Sequence, residues 1–198
     1  MDLLSYVKNA IDVEADSIKK LSENVGPEFE SAITLLANCK GKVVITGVGK
    51  SGHIGKKIAA SLASTGTPAF FVHSTEGVHG DLGMIQENDV VIMISNSGET
   101  GEVLSLLPSL GKIGCKKIAI TSKTESTLAK ASDVALGYQY DREADPLGLA
   151  PTTSSTLTLV IGDALAVALS ILKGFKKEDF HLYHPGGSLG KQLSEKTQ

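Results

Sequence analysis

Lys42-Val-Val-Ile-Thr46 runs directly into Gly47-Val-Gly49-Lys50-Ser51-Gly52, and a helical stretch from Ile54 to Ser64 follows. A short apolar run that breaks into glycines and then into a helix reads as a strand, a tight turn and a crossover helix. The pattern recurs. Ala69 to Val72, Asp89 to Ile94, Lys117 to Ile120 and Asp133 to Leu136 are further strand candidates, with helical segments at Gly101 to Leu110 and Ser126 to Ala131 between them. Such alternation predicts an α/β fold, a three-layer α/β/α sandwich on a mostly parallel five-stranded sheet. Continuous apolar runs, rather than alternating ones, suit strands buried on both faces. Ligands of such sheets bind outside the carboxyl ends of the strands, which points to the loops just after residues 46, 72, 94 and 136.

Working outward, Leu4, Val7, Ile11, Ile18 and Leu21 recur at helical spacing near the N-terminus. A second helix is expected after Pro27, with Phe29, Ile33 and Leu36 on one face. Residues 1–40 thus read as helices appended to a single domain of 198 residues, packed on that domain or against another subunit. Toward the other end, Leu157 to Leu172 is the most apolar stretch. It is interrupted by Asp163 and falls short of the roughly 20 residues of a membrane span, so a buried core helix is expected.

Composition narrows the function. Only 5% of residues are aromatic, Trp is absent, the formal charge is −3, and no run of Lys or Arg forms a nucleic-acid footprint. An anionic ligand must then be caught by a local pocket, and neither nucleic acid nor a membrane is an expected partner. Cys39 and Cys115 stand alone without a CxxC pair, which supplies no metal or disulfide framework. The start, Met1-Asp-Leu-Leu-Ser5, has no basic segment ahead of an apolar one, so the cytoplasm is the expected compartment.

The glycine loop at 47–52 matches G-x-G-x-x-G, but Val72 is followed by His73, Ser74 and Thr75, where a nucleotide ribose would want an acid. It also mimics the end of a Walker A loop, although Val44 stands where the first glycine belongs. Ser95-Asn96-Ser97-Gly98-Glu99-Thr100 offers three hydroxyls and a glycine at a helix start, more than one N-cap requires, and is favoured as a phosphate cradle. His73 and His79 do not have a recognised zinc spacing. Asp141, Glu143 and Asp145 precede the helix start at Thr152-Thr-Ser-Ser155; they are either solvated loop charges or the source of a base. The tail from Phe180 to Gly190 reads as a glycine-rich turn.

Taken together these segments resemble the sugar isomerase (SIS) domain, and more narrowly the arabinose-5-phosphate isomerases. The matching pieces are Gly47 to Gly52, Ser64-Thr-Gly-Thr-Pro68, His79-Gly-Asp-Leu-Gly83, Ile94-Ser-Asn-Ser-Gly-Glu99, Pro146 to Ser154, Gly162-Asp-Ala-Leu-Ala166 and His184-Pro-Gly-Gly187, in family order. The resemblance implies interconversion of D-ribulose 5-phosphate and D-arabinose 5-phosphate through an enediol, supplying Kdo for lipopolysaccharide or capsule, with no required cofactor. It implies catalytic roles for Lys50, Glu102, Glu143 and His184: Glu143 as base, Lys50 against developing charge or the phosphate, His184 in ring opening or proton relay. Ser51, Thr67, His73, His79, Ser95, Asn96, Ser97 and Thr100 are implied to bind substrate, and a zinc ion at His73 would inhibit rather than catalyse. A homotetramer with shared sites is implied too. Longer members append a pair of CBS domains after the isomerase domain; the 198 residues read as the isomerase domain alone, either without that module or as a part of a longer chain. The alternatives are a sugar-phosphate-binding regulator, a class that usually carries a DNA-binding domain, or an isomerase of another sugar phosphate.

Overall fold

The computed structural model describes residues 2–185, in which a five-stranded sheet forms the middle layer. Its strands are β1 (Val43–Gly47), β2 (Ala69–His73), β3 (Val90–Ile94), β4 (Lys116–Thr121) and β5 (Val134–Gly137). They lie in the order β2-β1-β3-β4-β5 and every pairing is parallel. Val43 is level with both Ala69 and Val90, and Ile118 with Val134, so the carboxyl ends form one edge. β3, in the middle, carries five apolar residues of which none is more than 3% exposed. Such a strand has no solvent face to mark with polar residues, which is why it reads as an unbroken apolar run.

The helices are α1 (Leu3–Glu23), α2 (Pro27–Ala37), α3 (Gly49–Ser64), α4 (Ser74–Val78), α5 (Gly101–Leu104), α6 (Leu107–Ile113), α7 (Thr127–Lys130), α8 (Thr153–Leu172) and α9 (Lys177–Tyr183). Successive strand side chains point to opposite faces, and two separate cores result. Val43, Ile45, Ile92, Ile94 and Ile118 pack under α1, α2, α3 and α8. Val44, Val91, Met93 and Ala119 pack under α5, α6 and α7. Truncating one of these, as in Ile92→Ala, costs about 2–5 kcal/mol because the packed layers cannot close over the void.

Several elements depart from the sequence expectation. α3 begins at Gly49 rather than Ile54, so Lys50 and Ser51 lie in a helical turn and not in a loop. The helix expected over Gly101 to Leu110 is two helices; Pro108, which lacks an N–H, sits in the first turn of α6, where no donor is needed. α8 starts at Thr153 and buries Leu157, Ile161, Leu165 and Leu169, but it is a core helix on one face only, since Val167, Ile171 and Leu172 are exposed among the described residues. Phe180 to Tyr183, expected to begin a turn, belong instead to α9, whose N-cap amide, that of Lys176, donates to the Asp179 carboxylate; residues 186–190 of the expected turn lie outside the described residues. α1 buries only the stripe's later residues. Leu4, Val7 and Ile11 are exposed by 80%, 58% and 62%, while Leu21 is buried.

Candidate active site

In a sheet ordered 2-1-3-4-5 the crossovers leave in opposite directions on either side of β1 and β3, which opens a crevice at their carboxyl ends. The first wall of that crevice is the start of α3. Val48 is extended, Gly49 has φ of +55°, and no side chain caps the helix. A 16-residue helix with an uncapped N-terminus presents free amides and the positive end of its dipole. Lys50 is exposed on this turn, with no acid paired to it among the described residues. Ser51 is half-buried beside it.

The second wall is the loop after β3. Ser95 is buried; its hydroxyl accepts from the Gly98 amide at 3.0 Å and lies 2.7 Å from the Thr100 hydroxyl. Ser97 is exposed and its hydroxyl accepts from the Glu99 amide at 3.1 Å. Gly98 has φ of +67°, and a Cβ there would fall 2.0 Å from the Ser126 hydroxyl, so the loop can take no side chain at that position. The Glu99 carboxylate turns away and caps α7, accepting from the Thr127 amide at 2.7 Å. That bond and a second from Thr127 hold its pKa below the ordinary glutamate value. No side chain caps α5, which opens with Thr100 and carries Glu102, exposed, in its first turn.

Asn96 does not present its side chain to the crevice. Its Oδ1 accepts from the Tyr138 hydroxyl at 3.0 Å and its Nδ2 donates to the Tyr140 hydroxyl at 2.9 Å. Any contact between Asn96 and a ligand in this geometry is through its backbone.

After β2, His73 caps α4, its Nδ1 accepting from the Thr75 amide at 3.3 Å, and His79 closes that helix, exposed. Both stand at the carboxyl edge beside the crevice. Among the described residues no three His, Cys, Asp or Glu side chains are grouped to hold a metal ion. His73 therefore has no assembled set of zinc ligands among them.

Glu143 follows β5 and is 7% exposed. One oxygen, Oε2, accepts from the Thr152 amide at 2.8 Å, the Ser154 amide at 3.1 Å and the Thr152 hydroxyl at 3.1 Å. The carboxylate thus caps α8, where the helix dipole favours negative charge. Its Oε1 accepts from no described residue. Burial pushes the Glu143 pKa up, but the adjoining Ser154 hydroxyl and the Thr152 and Ser154 amides pull harder, and it ends below the ordinary value. The Thr153 and Ser154 hydroxyls are buried without a partner of good geometry. Asp141 pairs with Lys20 at 2.5 Å, and Asp145 accepts from the Leu149 and Ala150 amides. Of the three loop acids, only Glu143 is buried.

Two expected site residues lie elsewhere. Thr67 precedes β2, so it sits at the amino edge of the sheet, where its buried hydroxyl accepts from the Lys173 ammonium at 2.8 Å. With about 3.3 Å of rise per strand residue, it is roughly 20 Å from His73. Thr67 cannot touch a ligand bound in this chain's crevice. His184 ends α9 with its ring stacked on Phe180 at 3.9 Å and its Nδ1 2.9 Å from the Phe180 carbonyl. α9 is fixed at the same amino edge: Tyr183 stacks on Phe175, and Phe175 lies against Gly66. The Gly186-Gly187 part of that segment lies outside the described residues.

The sequence reading passed over Tyr138, Tyr140 and Glu99. A signal for the tyrosines existed: two of the four in the chain stand two residues apart, directly after β5.

Comparison with known proteins bears on this architecture. The chain is 50% identical over its 198 residues to the arabinose 5-phosphate isomerase KdsD of Pseudomonas aeruginosa, and spans 61% of that relative's length. It superposes with a TM-score of 0.91 on a protein of E. coli CFT073 solved in complex with arabinose 5-phosphate, at 52% identity, covering 93% of this chain and 98% of that one. A putative phosphosugar isomerase involved in capsule formation from Bacteroides fragilis matches with a TM-score of 0.90 at 38% identity, over 93% and 98% of the two chains. The sequence profile of the SIS domain matches residues 35–168, from α2 through most of α8, and this chain belongs to the SIS domain family.

Proposed function

We propose that this domain is an aldose–ketose isomerase that interconverts D-ribulose 5-phosphate and D-arabinose 5-phosphate through an enediol, as a cytoplasmic homotetramer supplying Kdo synthesis. The observation that carries the reading is the 52% identity, across nearly all of both chains, to the protein solved with arabinose 5-phosphate. The geometry supports it. The phosphate seats between the uncapped start of α3 and the loop from Ser95 to Thr100, where Ser51, Ser97, Thr100 and backbone N–H groups donate to it. Lys50 balances its charge or the oxyanion that develops on the sugar. Glu143, anchored by Oε2, uses Oε1 to take the C2 proton of the aldose; the electron pair left behind forms the enediol as O1 takes up a proton, and Glu143 then returns its proton to C1 while the O2 hydroxyl gives up its own to leave the C2 carbonyl of the ketose. Its cap holds Glu143 ionised, which leaves it free to accept a proton while lowering its basicity, so its open oxygen and its burial beside the crevice, not its pKa, single it out as the base. Glu102 stands by as the other acid of the crevice.

His184 enters from another subunit. α8 alone is 20 residues long, so about 30 Å separates its start, beside Glu143, from its end, beside α9. An imidazole at the amino edge cannot relay a proton at the carboxyl edge of its own chain. The uncovered apolar residues of α1 (Leu4, Val7, Ile11) and of α8 (Val167, Ile171) offer surface for a second copy.

The test is a panel of five- and six-carbon sugar phosphates, with C2-proton exchange followed by NMR. Arabinose 5-phosphate turns over fastest; a six-carbon phosphate turned over faster, or no turnover, overturns the assignment. Mixing Lys50→Ala with His184→Ala subunits by refolding regenerates some intact sites. Verified mixed oligomers no more active than their components would defeat the shared site.

A further inference from the structure

The side chain of Asn96 spends both its polar atoms on two tyrosines, and those tyrosines belong to the segment that leads to Glu143. The Tyr138 hydroxyl donates to Asn96 Oδ1 at 3.0 Å, and Asn96 Nδ2 donates to Tyr140 at 2.9 Å. The two rings stack, 6.2 Å apart at 27°. The backbone of Asn96 is held as firmly: its carbonyl accepts from the Ser122 amide at 3.0 Å and the Ser122 hydroxyl at 2.8 Å. On its other side Tyr138 reaches α8. The Thr158 hydroxyl lies 3.4 Å away, a looser contact, and bonds the Ser154 carbonyl at 2.9 Å. Ser154 is the residue whose amide holds the Glu143 carboxylate.

We propose that Tyr138 is a positioning residue: through Asn96 on one side and Thr158 on the other, it sets the phosphate-binding loop and the Glu143 carboxylate in one fixed relation. The inference rests on the isomerase reading and adds to it the device that joins its two halves. Tyr138 is 3% exposed and its hydroxyl is taken up by Asn96 and Thr158, so it acts through these neighbours and neither binds substrate nor moves a proton. Burial, opposed by the Thr158 hydroxyl and aided by the nearby Glu143 carboxylate, pushes its hydroxyl up to about 12. It therefore remains a neutral donor at any pH where the domain works. A strut of this kind is useful where a base must find one carbon of a substrate gripped by its far end, since misplacement by about 1 Å is enough to cost on the order of 100-fold.

A double-mutant cycle separates this role from simple stabilisation. Tyr138→Phe removes only the hydroxyl. In folded enzyme, checked by thermal melting, it lowers kcat about tenfold, with a smaller rise in KM, when Glu143 is present. In the Glu143→Gln background the same substitution lowers the residual rate, read by slow C2-proton exchange, less than twofold, because no carboxylate remains to be aimed. A loss of equal size in both backgrounds, or no loss of kcat in either, overturns the proposal. If Tyr138→Phe does not fold, Thr158→Val enters the cycle from the other side, with about a threefold loss confined to the Glu143 background, and additivity there overturns it equally. A wild-type protein that isomerises no sugar phosphate would sink the isomerase reading and this inference with it, whereas an active wild type with additive variants sinks the inference alone.

Discussion

At the amino end of the sheet, Asp89 is buried and fully used: it accepts from the Lys42 amide at 2.7 Å and the Gln86 amide at 2.8 Å, with the Lys42 ammonium 3.4 Å away. Asp133, on the same edge two strands away before β5, accepts from the Lys117 amide and the Lys116 ammonium, each at 2.8 Å. At the carboxyl end, Lys50 and Glu102 are exposed and unpaired among the described residues, two helix starts have no cap, and Glu143 commits one oxygen and leaves the other open. Both edges face the same demand, since strands there end in loose backbone groups. The amino edge answers it from within the chain. The carboxyl edge answers it incompletely, and the donors left over match an anion. Where a protein closes its own hydrogen bonds it is building stability; where it leaves them open beside a crevice it is prepared for a ligand.

The contrast breaks most visibly at Glu143. Glu143→Gln keeps shape and can still accept at the start of α8, but it cannot take a proton. The expected loss is about 1,000-fold in kcat, within the range for a general base, with C2-proton exchange nearly abolished. Normal exchange would transfer the role to Glu102 or a histidine. The same residue carries a pH signature. Its folded pKa lies below the ordinary 4.5. Its contribution to stability is therefore complete above the unfolded value and is lost as pH falls through the folded one. In urea titrations the stability gap between wild type and Glu143→Gln is full near neutrality and closes below pH 4.5. A gap that closed at higher pH would mean the carboxylate is not held by its cap.

Asp89→Ala should act in the opposite sense. It strands two amides and a lysine at the amino edge, and the charged hydrogen bonds lost imply about 3 kcal/mol of destabilisation. Turnover per folded molecule stays within about twofold, because the groups Asp89 holds, Lys42 and Gln86, do not line the crevice. A large fall in kcat with little change in melting would erase the distinction between the edges. Ser97→Ala, at the carboxyl edge, gives the complementary result: KM rises about tenfold while kcat changes less than twofold, the mark of lost uniform binding. An unchanged KM in folded protein removes Ser97 from the phosphate seat.

How far the sequence revealed these edges depended on burial. β1 and β3 were legible because a strand covered on both faces must be apolar throughout, and Val43 to Ile45 and Val90 to Ile94 are. The loop from Ser95 to Thr100 was legible as a turn rich in hydroxyls at a helix start, but not the bonds that those hydroxyls make within it. The start of α3 was not, since Gly49-Lys-Ser-Gly52 has the composition of a turn, and only its place above β1 makes it helical. Glu143 could not be told from Asp141 and Asp145, because burial depends on α8 folding back over it. Nor could Asn96 be told from its serine neighbours. Its side chain is diverted by tyrosines more than 40 positions away.

Thr67 offers the smallest effect and a sharp division of the two edges. It stands in Ser64-Thr-Gly-Thr-Pro68, one of the segments that carry the family resemblance, and that resemblance alone implied that it meets the substrate. In the fold it is buried before β2, and its hydroxyl meets the ammonium of Lys173, which closes α8 and also reaches the Gly66 carbonyl at 3.3 Å. Burial draws the pKa of Lys173 down, and no acid among the described residues pairs with its ammonium, so the hydroxyl is one of the few acceptors that sustain its charge. Thr67→Val keeps the branched shape and removes that acceptor. Stability should fall by about 1 kcal/mol, the net worth of one hydrogen bond. The sign with pH follows from the lysine. Losing an acceptor lowers the folded pKa of Lys173 further, so the deficit relative to wild type is present while the lysine is charged and shrinks as pH rises toward the ordinary 10.5. KM for the sugar phosphate should stay within about twofold of wild type, since the hydroxyl is roughly 20 Å from His73 at the other edge. A several-fold rise in KM with unchanged melting would mean that Thr67 reaches a ligand after all, and the only crevice left to it would be that of a neighbouring subunit.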